Sequence, residues 1–260
     1  MEKKIALITG ATSGIGEATA RKFAEGGYNL ILTGRNEAKL AELKAAFTQN
    51  GNNVLTLAFD VRDRNAALAA IDGMPEAWKN IDVLVNNAGL ALGLEKLQEG
   101  SFEDWDTMID TNIKGLLTMT RAVVPMMVRR NRGHVINIGS VAGDAAYAKG
   151  NVYCATKAAV KALSDGLRID IVDTALRVTD IKPGLVQTRF SNVRFHGDDA
   201  AADKVYEGIQ PLTGEDIAEV VFFAAAAPEH VQIAEVTILA THQASGSVTS
   251  KDVNRIEHLS

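Results

Sequence analysis

A tyrosine and a lysine stand four residues apart, at Tyr153 and Lys157, in a segment with helical periodicity. Residues with this spacing lie side by side on a helix, and the apolar stripe of Val160, Leu163 and Leu167, continued backwards, places both on the inward face. A lysine that faces inward is costly unless an anion or a hydrogen-bond network receives its ammonium group. The pair is therefore either a core tyrosine beside a snorkelling lysine or an acid/base pair.

The chemistry that suits this pair is proton transfer on an alcohol oxygen. A hydride can leave or enter a carbinol carbon only if a proton also moves on the oxygen, which needs a group that titrates near the working pH. Tyrosine has an ordinary pKa near ~10, so a value of about 7 requires roughly 4 kcal/mol of preference for tyrosinate. Lys157 and an oxidised nicotinamide are two positive charges that favour tyrosinate, and we expect them to lower the pKa of Tyr153.

Two further polar residues can serve the same reaction. Ser140 follows a predicted strand, where it is either an ordinary turn residue or a donor that holds the substrate oxygen against Tyr153. Asn112 falls on the apolar stripe of a long helix that begins near Trp105. Because a buried amide without partners costs about 1–3 kcal/mol, Asn112 either makes functional hydrogen bonds or marks an irregularity in that helix.

A glycine-rich turn joins the first predicted strand to the first helix, with the spacing G-x-x-x-G-x-G. Glycines allow a tight turn and let backbone N–H groups approach a pyrophosphate at a helix start. The spacing differs from G-x-G-x-x-G, and glycines at such turns can be purely structural. On this interpretation the turn contributes six dinucleotide-binding residues, Gly10, Thr12, Ser13, Gly14, Ile15 and Gly16.

The second predicted strand ends at Arg35. Sites that prefer NAD usually carry an acid here, which hydrogen-bonds the ribose 2′-hydroxyl. This strand end has no carboxylate, and a guanidinium can bind a phosphate through two hydrogen bonds. We therefore predict NADP(H) as the cofactor, the alternative being a solvated surface arginine.

Seven short apolar runs alternate with helical segments, a pattern typical of a parallel sheet covered on both faces. The sequence predicts an α/β fold, a Rossmann-type doubly wound parallel sheet of about seven strands. The predicted strands are 5–9, 30–33, 54–59, 81–86, 135–138, 177–181 and 236–239. The residues that follow the first six are Gly10, Arg35, Asp60, Asn87, Ser140 and Pro183. Because carboxyl ends of parallel strands share one edge, we expect these residues to form a single site.

The composition predicts one globular domain over residues 1–260. A net charge of −5 without a dense basic block argues against nucleic acid as a partner. We find no signal peptide and no apolar run long enough for a membrane, and the single cysteine, Cys154, fits a reducing, cytoplasmic compartment. No metal is predicted, because the histidines have no ligand-like spacing. They are His134, His196, His230, His242 and His258.

Taken together, these residues resemble the short-chain dehydrogenase/reductase family over nearly the whole chain. The resemblance rests on the glycine turn, the stretch 86–89, Asn112, Ser140, the Tyr153/Lys157 pair and 183–184. It implies that Tyr153 is the general acid/base and that Ser140 positions the substrate. It also implies that Lys157 lowers the pKa of Tyr153 and holds the ribose, and that Asn112 supports a water-linked proton relay.

The resemblance further implies where the remaining cofactor contacts lie. Asp60 and Val61 are expected near the adenine. The ribose is expected along Asn87, Ala88 and Gly89, and the nicotinamide amide near Pro183, Gly184, Leu185, Val186 and Thr188. Most members of the family pair two long helices into tetramers, so a homotetramer is expected.

More narrowly, the chain is similar to NADP-dependent 3-hydroxy acid dehydrogenases, which oxidise serine, allo-threonine and related acids. The stretches that carry this similarity are 86–93, 105–112 and 183–199. The final strand is followed by Ala-Thr-His-Gln at 240–243 instead of the family's usual Asp-Gly-Gly. This departure leaves open how the carboxyl-terminal tail, 240–260, packs.

The segment 189–208 mixes charged residues and glycine, and we interpret it as a substrate lid. A carboxylate substrate calls for an anchoring guanidinium. Arg194 is the first candidate and Arg189 the second, the alternative being solvated lid arginines. Two other functions stay open: a carbonyl reductase for apolar ketones, sugars or steroids, and a scaffold that binds NADPH without turnover. The presence of all four proposed catalytic side chains argues against the scaffold.

Overall fold

The computed structural model describes residues 3–251 and contains a seven-stranded sheet in the order β3-β2-β1-β4-β5-β6-β7. Every neighbouring pair is parallel. The strands are β1 (Ile5–Ile8), β2 (Asn29–Gly34), β3 (Val54–Ala58), β4 (Ile81–Asn86), β5 (Gly133–Ile138), β6 (Leu176–Pro183) and β7 (Glu235–Ile238). All seven predicted strands are present, with ends that differ by at most two residues. The predicted doubly wound parallel sheet is confirmed.

Helices cover both faces of the sheet. They are α1 (Gly14–Glu25), α2 (Glu37–Gln49), α3 (Arg64–Asp72), α4 (Phe102–Ile109), α5 (Leu116–Arg130), α6 (Asn151–Asp170), α7 (Phe190–Arg194), α8 (Asp199–Lys204) and α9 (Gly214–Ala226). One core cluster joins the sheet to α1, α2 and α9, and a second joins the opposite face to α3, α5 and α6. Because strand side chains alternate between faces, Ala6 and Ile8 enter the first cluster while Ile5 and Leu7 enter the second.

Burial on both faces explains why the strands are continuous apolar runs. Each fully buried leucine or isoleucine contributes about 1.5–3 kcal/mol relative to an exposed one. The helices bury apolar side chains against the same sheet, including Leu40 and Leu43 of α2 and Ile71 of α3. Leu68 of α3, by contrast, is 39% exposed.

The long helix predicted from Trp105 is interrupted. It consists of α4, a π-helical turn over Asp110–Gly115, and α5. Such turns insert an extra residue into the helical repeat and occur frequently at functional sites. Here the turn contains Asn112, so the irregularity that the sequence left as an alternative is present.

The order in which strands are added to the sheet reverses at β1, which pairs with β2 on one side and with β4 on the other. The loops that follow β1 and β4 therefore diverge and leave a crevice at the carboxyl edge.

Between residues 3 and 251, no helix combines the length and apolarity needed to cross a bilayer. In the same range no cluster of three metal-ligating side chains occurs. The end of the predicted tail, 252–260, with His258, lies outside the described residues.

Candidate active site

A cavity of about 490 Å³ opens at the carboxyl edge of the sheet. All six residues that follow the predicted strands line it, namely Gly10, Arg35, Asp60, Asn87, Ser140 and Pro183. The six residues therefore lie together at one edge of the sheet, as expected. Tyr153, Lys157, Arg189 and Arg194 line the same cavity.

The glycine turn forms one wall of the cavity. Gly10 and Gly14 have φ angles of +63° and +53°, in the left-handed region that disfavours other residues. A Cβ at position 16 would lie 2.2 Å from the Gly10 carbonyl oxygen, so Gly16 is required by packing and does not line the cavity. Among the described residues, the Ser13 side chain does not cap α1, so the first N–H groups of this helix face the cavity with their partial positive charge. This cradle fits a pyrophosphate.

Hydrogen bonds between the loops after β1 and β4 form the floor. The Thr9 hydroxyl oxygen accepts from the backbone N–H groups of Asn87 at 3.0 Å and Ala88 at 2.9 Å. Asn87 Nδ2 returns a hydrogen bond to the Thr9 carbonyl at 2.9 Å. These bonds hold Asn87, Ala88 and Gly89 against the cavity, where the resemblance places the ribose.

Arg35 stands at the opposite end of the cavity with its side chain 68% exposed and one guanidinium nitrogen 3.8 Å from Asp60 Oδ2. Asp60 accepts shorter hydrogen bonds from Arg62, including one of 2.7 Å from Nη2. Burial disfavours the charged carboxylate, but the Arg62 hydrogen bonds and the Arg35 charge outweigh it and hold the pKa of Asp60 below its ordinary value. The Arg35 guanidinium thus remains accessible to a phosphate, while Val61 lines the cavity beside it.

Tyr153 and Lys157 project inward from α6, with 9% and 7% of their surface exposed. Lys157 Nζ donates to the Ile138 carbonyl at 2.8 Å and lies 5.9 Å from the centre of the Tyr153 ring. Ser140 lies at the end of β5, where its hydroxyl oxygen accepts from the Ala142 N–H at 3.1 Å. The three side chains that the sequence assigned to proton transfer are therefore brought together.

The protein groups around Tyr153 shift its pKa. Burial raises this pKa above its ordinary value, and the neighbouring Ser140 hydroxyl and the Arg194 charge only oppose the rise. Burial also lowers the pKa of Lys157 to about 8, against the opposing charge of Asp180. Within the protein alone, Lys157 does not make Tyr153 acidic; desolvation of a buried phenol is the larger effect.

Asn112 is buried and saturated with hydrogen bonds. Its Nδ2 donates to the Leu90 carbonyl at 2.8 Å and to Thr156 Oγ1 at 3.0 Å, and its Oδ1 accepts from the Leu90 N–H at 2.9 Å. It does not line the cavity. A Cβ at Gly89 would lie 3.2 Å from Asn112 Oδ1 and 3.6 Å from Lys157 Nζ. Asn112 therefore fixes the loop after β4 beside Lys157.

An aromatic cage surrounds Arg194 on α7. Its guanidinium carbon lies 5.0 Å from the ring centre of Tyr153, 5.5 Å from that of Phe190 and 5.7 Å from that of Tyr147. Its Nη2 also donates to the Tyr147 hydroxyl at 2.5 Å. Arg189 lines the cavity from an exposed position. The sequence did not indicate a role for Tyr147 or Phe190, because a single aromatic residue in a loop or in a helix of five residues carries no periodic signal.

The tail after β7 packs against the loop after β6. Gln243 is buried, and its Oε1 accepts from the Leu185 N–H at 2.8 Å. A Cβ at Gly184 would lie 2.1 Å from the same oxygen. The sequence left open how the carboxyl-terminal tail packs, and this contact shows how its described part does so. The contact holds four residues that line the cavity, namely Pro183, Gly184, Val186 and Thr188.

A family model described as short chain dehydrogenase matches residues 4–199. The chain belongs to the short chain dehydrogenase family. The predicted resemblance is thereby confirmed, and the glycine turn, Ser140 and the Tyr153/Lys157 pair all lie within the matched part of this short chain dehydrogenase.

Two curated relatives are similar over almost their full length. The NADP-dependent 3-hydroxy acid dehydrogenase of Salmonella typhi is 56% identical over 240 residues, which cover 92% of this short chain dehydrogenase and 96% of the relative. Sulfoacetaldehyde reductase 2 of Chromohalobacter salexigens is 47% identical, with 92% and 95% covered. A solved structure, the closed form of serine dehydrogenase complexed with NADP+, superposes with a TM-score of 0.90 at 51% identity, covering 95% of this chain and 98% of its own.

Proposed function

We propose that the chain transfers a hydride between NADP(H) and the 3-hydroxyl group of a small 3-hydroxy acid, such as serine, allo-threonine or 3-hydroxypropionate. The observation that carries this proposal is the Arg194 guanidinium, 5.0 Å from the ring centre of Tyr153. It places a cation beside the group proposed to move the proton. A substrate whose carboxylate and hydroxyl are close together matches that arrangement. The similarity to a 3-hydroxy acid dehydrogenase supports the same substrate class.

The cofactor is NADP(H), whose nicotinamide supplies the hydride donor or acceptor when bound. The N–H groups at the start of α1 would hold its pyrophosphate, together with the turn residues from Gly10 to Ile15. Arg35 would bind the 2′-phosphate, and Asp60 and Val61 would border the adenine. The ribose next to the nicotinamide would be held by Asn87, Ala88, Gly89 and Lys157. The amide group of the nicotinamide would be held by Pro183, Gly184, Val186 and Thr188.

Tyr153 acts as the general base in oxidation and as the general acid in reduction. In oxidation its phenolate takes the proton from the substrate hydroxyl; in reduction its phenol returns it to the carbonyl oxygen. Ser140 holds that oxygen within reach of Tyr153. Lys157 supplies positive charge to the phenolate, and Asn112 holds the backbone beside Lys157 through its bonds to Leu90. Because burial raises the pKa of Tyr153, a second positive charge next to the phenol is needed for ionisation near neutral pH.

Arg194 anchors the substrate carboxylate, with Arg189 as the second candidate. In support, Arg194 Nε is buried and has no hydrogen-bond partner within residues 3–251. The guanidinium is held by Tyr147, so little side-chain freedom remains to be lost on binding. We propose that the segment 189–208, which carries α7 and α8, closes over the substrate as a lid.

A second candidate substrate is a sulfonate aldehyde, because a caged guanidinium binds sulfonate as well as carboxylate oxygens and a relative is named a sulfoacetaldehyde reductase. A spectrophotometric panel separates the possibilities: serine, allo-threonine and 3-hydroxypropionate with NADP+, and sulfoacetaldehyde and a neutral ketone with NADPH. We expect the highest kcat/KM for the hydroxy acids. Preference for sulfoacetaldehyde would select the second candidate, and preference for the neutral ketone would contradict an anionic substrate altogether.

We also propose that residues 1–260 form one domain and that four copies assemble through α5 and α6. Exposed apolar side chains on these helices support the assembly, namely Leu117, Val128 and Ile169. Sedimentation equilibrium measures the number of copies.

A cytoplasmic location is proposed as well, because the single cysteine, Cys154, fits a reducing compartment.

A further inference from the structure

A carboxylate with no local partner lies beneath the candidate active site. Asp180, in the middle of β6, is 1% exposed, and within residues 3–251 neither of its oxygens has a hydrogen-bond partner. Side chains alternate along a strand, so Asp180 shares a face with Val178, which belongs to the core cluster beneath α6. A buried carboxylate in this state is destabilising, and packing alone therefore does not account for it.

The carboxylate lies beside the end of β5 that carries the proposed catalytic groups. A Cβ built on Gly139 would be 2.2 Å from Asp180 Oδ1, so the carboxylate has space because residue 139 is glycine. On one side of Gly139 is Ile138, whose carbonyl accepts from Lys157 Nζ at 2.8 Å. On the other side is Ser140, which lines the cavity.

The charges that face Asp180 come from four elements. They are Lys157 on α6, Lys182 on β6, Glu235 on β7 and Asp144 in the turn after β5. Lys182 Nζ already pairs with Asp144 at 3.0 Å and with Glu235 at 2.8 Å. In the described chain, Lys157 by contrast donates only to the neutral Ile138 carbonyl. Asp180 is therefore the negative charge left to balance the buried Lys157 ammonium.

We propose that Asp180 is a positioning residue that keeps Lys157 protonated and so acts on Tyr153 without touching substrate or cofactor. The proposal rests on the proposed function for the roles of Lys157 and Tyr153. The pKa directions are consistent with it: burial lowers the pKa of Lys157 to about 8 while Asp180 opposes the fall. Burial likewise raises the pKa of Asp180 to about 6, and Lys157 is the largest opposing charge. Between these two values both groups are charged.

The test is Asp180→Asn, which removes the charge and keeps the shape. We expect Lys157 to lose its proton at a lower pH. The basic flank of the pH profile of kcat/KM for oxidation should then move to lower pH by about one pH unit, which is tenfold in activity on that flank. The variant should also unfold at the same or a higher temperature than the wild type at neutral pH, because burial raises the pKa of Asp180 and so makes its ionised form costly in the folded state.

Asp144→Asn is the matched control. It removes one negative charge from the outer part of the same cluster and should leave both flanks of the profile in place. Asp180→Ala, which adds no amide donor, should reproduce the shift of the basic flank. A uniform loss of activity at all pH values with a lowered Tm in Asp180→Asn would show a purely structural residue and overturn the proposal, as would an unchanged profile.

A second measurement is independent of substrate. The Lys157 ammonium is titrated by NMR in the full chain with carbon-labelled lysine, and its signal is assigned from its loss in Lys157→Arg. A lower pKa of Lys157 in Asp180→Asn supports the proposal, and an unchanged pKa overturns it. Absence of turnover with every substrate would contradict the proposed function and leave this titration informative.

Discussion

Tyr153 is a phenol whose protein surroundings oppose its ionisation. Burial raises its pKa, and Lys157 is committed to the Ile138 carbonyl at 2.8 Å. The proposed reaction nevertheless requires the phenolate in the oxidation direction. The protein therefore provides the position of the base, and ionisation depends on the positive charges that surround the phenol in the complete site.

The first prediction concerns Tyr153→Phe. Loss of the hydroxyl should lower kcat by about 10²–10⁴-fold, the usual contribution of a general acid or base. The affinity for NADPH, measured by fluorescence titration, should change little, because the residues proposed to hold the pyrophosphate and the 2′-phosphate lie elsewhere in the cavity. Full turnover in the variant would remove Tyr153 from proton transfer.

The second prediction concerns Arg35→Asp. The variant loses a phosphate-binding guanidinium and gains a carboxylate that repels the 2′-phosphate and accepts from a free ribose hydroxyl. The ratio of kcat/KM for NADPH over NADH should fall by at least about 100-fold, equivalent to roughly 3 kcal/mol. Arg62→Asn provides the control, since Arg62 is held by Asp60. An unchanged ratio in Arg35→Asp would place phosphate recognition on another residue.

At the scale of elements, α7 brings two arginines to the cavity with different surroundings. Arg194 is enclosed by three aromatic rings, whereas Arg189 is exposed at the start of the helix. Arg194→Met should therefore raise KM for a 3-hydroxy acid by about 10–100-fold, the range expected for losing a charge-assisted hydrogen bond. The matched variant Arg189→Met should change KM by less than about threefold. The reverse order of effects would make Arg189 the anchor.

Most of the elements could be predicted from sequence, because their signals are local. The apolar runs predicted the ends of the strands to within two residues. The residues that follow these runs predicted which edge of the sheet carries the cavity. The π-helical turn carries no comparable signal, since its residues suit an ordinary helix. The contact between Arg194 and Tyr147 is not local either, because it joins residues that are 47 positions apart in the sequence. The extent to which burial raises the pKa of Tyr153 could not be predicted either, because a spacing pattern gives neighbours and not the extent of desolvation.

At the scale of the whole molecule, a buried histidine links adjacent strands of the sheet. His134 on β5 is 2% exposed, and its Nε2 lies 2.8 Å from Thr179 Oγ1 on β6. Because Thr179 Oγ1 donates to the Ile233 carbonyl, it accepts from His134, which places the proton on Nε2. Burial, and to a lesser extent the charge of Arg177, lowers the pKa of His134 to about 3. The fold therefore requires the neutral ring.

Folding stability should consequently depend on pH in part through His134. The folded pKa of His134 lies below the ordinary value of 6.5, so its contribution is complete above pH ~6.5 and is lost as the pH falls towards ~3, at about 1.4 kcal/mol per pH unit. In the same range the raised pKa of Asp180 acts oppositely, since protonation of that carboxyl on acidification favours the fold. His134→Gln, which removes the titrating ring, should therefore lose less stability than the wild type between pH 6.5 and 4 in urea unfolding.

His230→Gln is the control for this comparison, because His230 is exposed. Its urea midpoint should follow the wild type across the whole range. If the wild type and His134→Gln lost stability with the same slope, acid sensitivity would have to come from the carboxylates that the fold holds ionised, such as Asp165 and Glu235. The free energy of unfolding is plotted against pH for the wild type and for His134→Gln. The difference between these two slopes measures how much of the loss of stability in acid is caused by the neutral imidazole of His134.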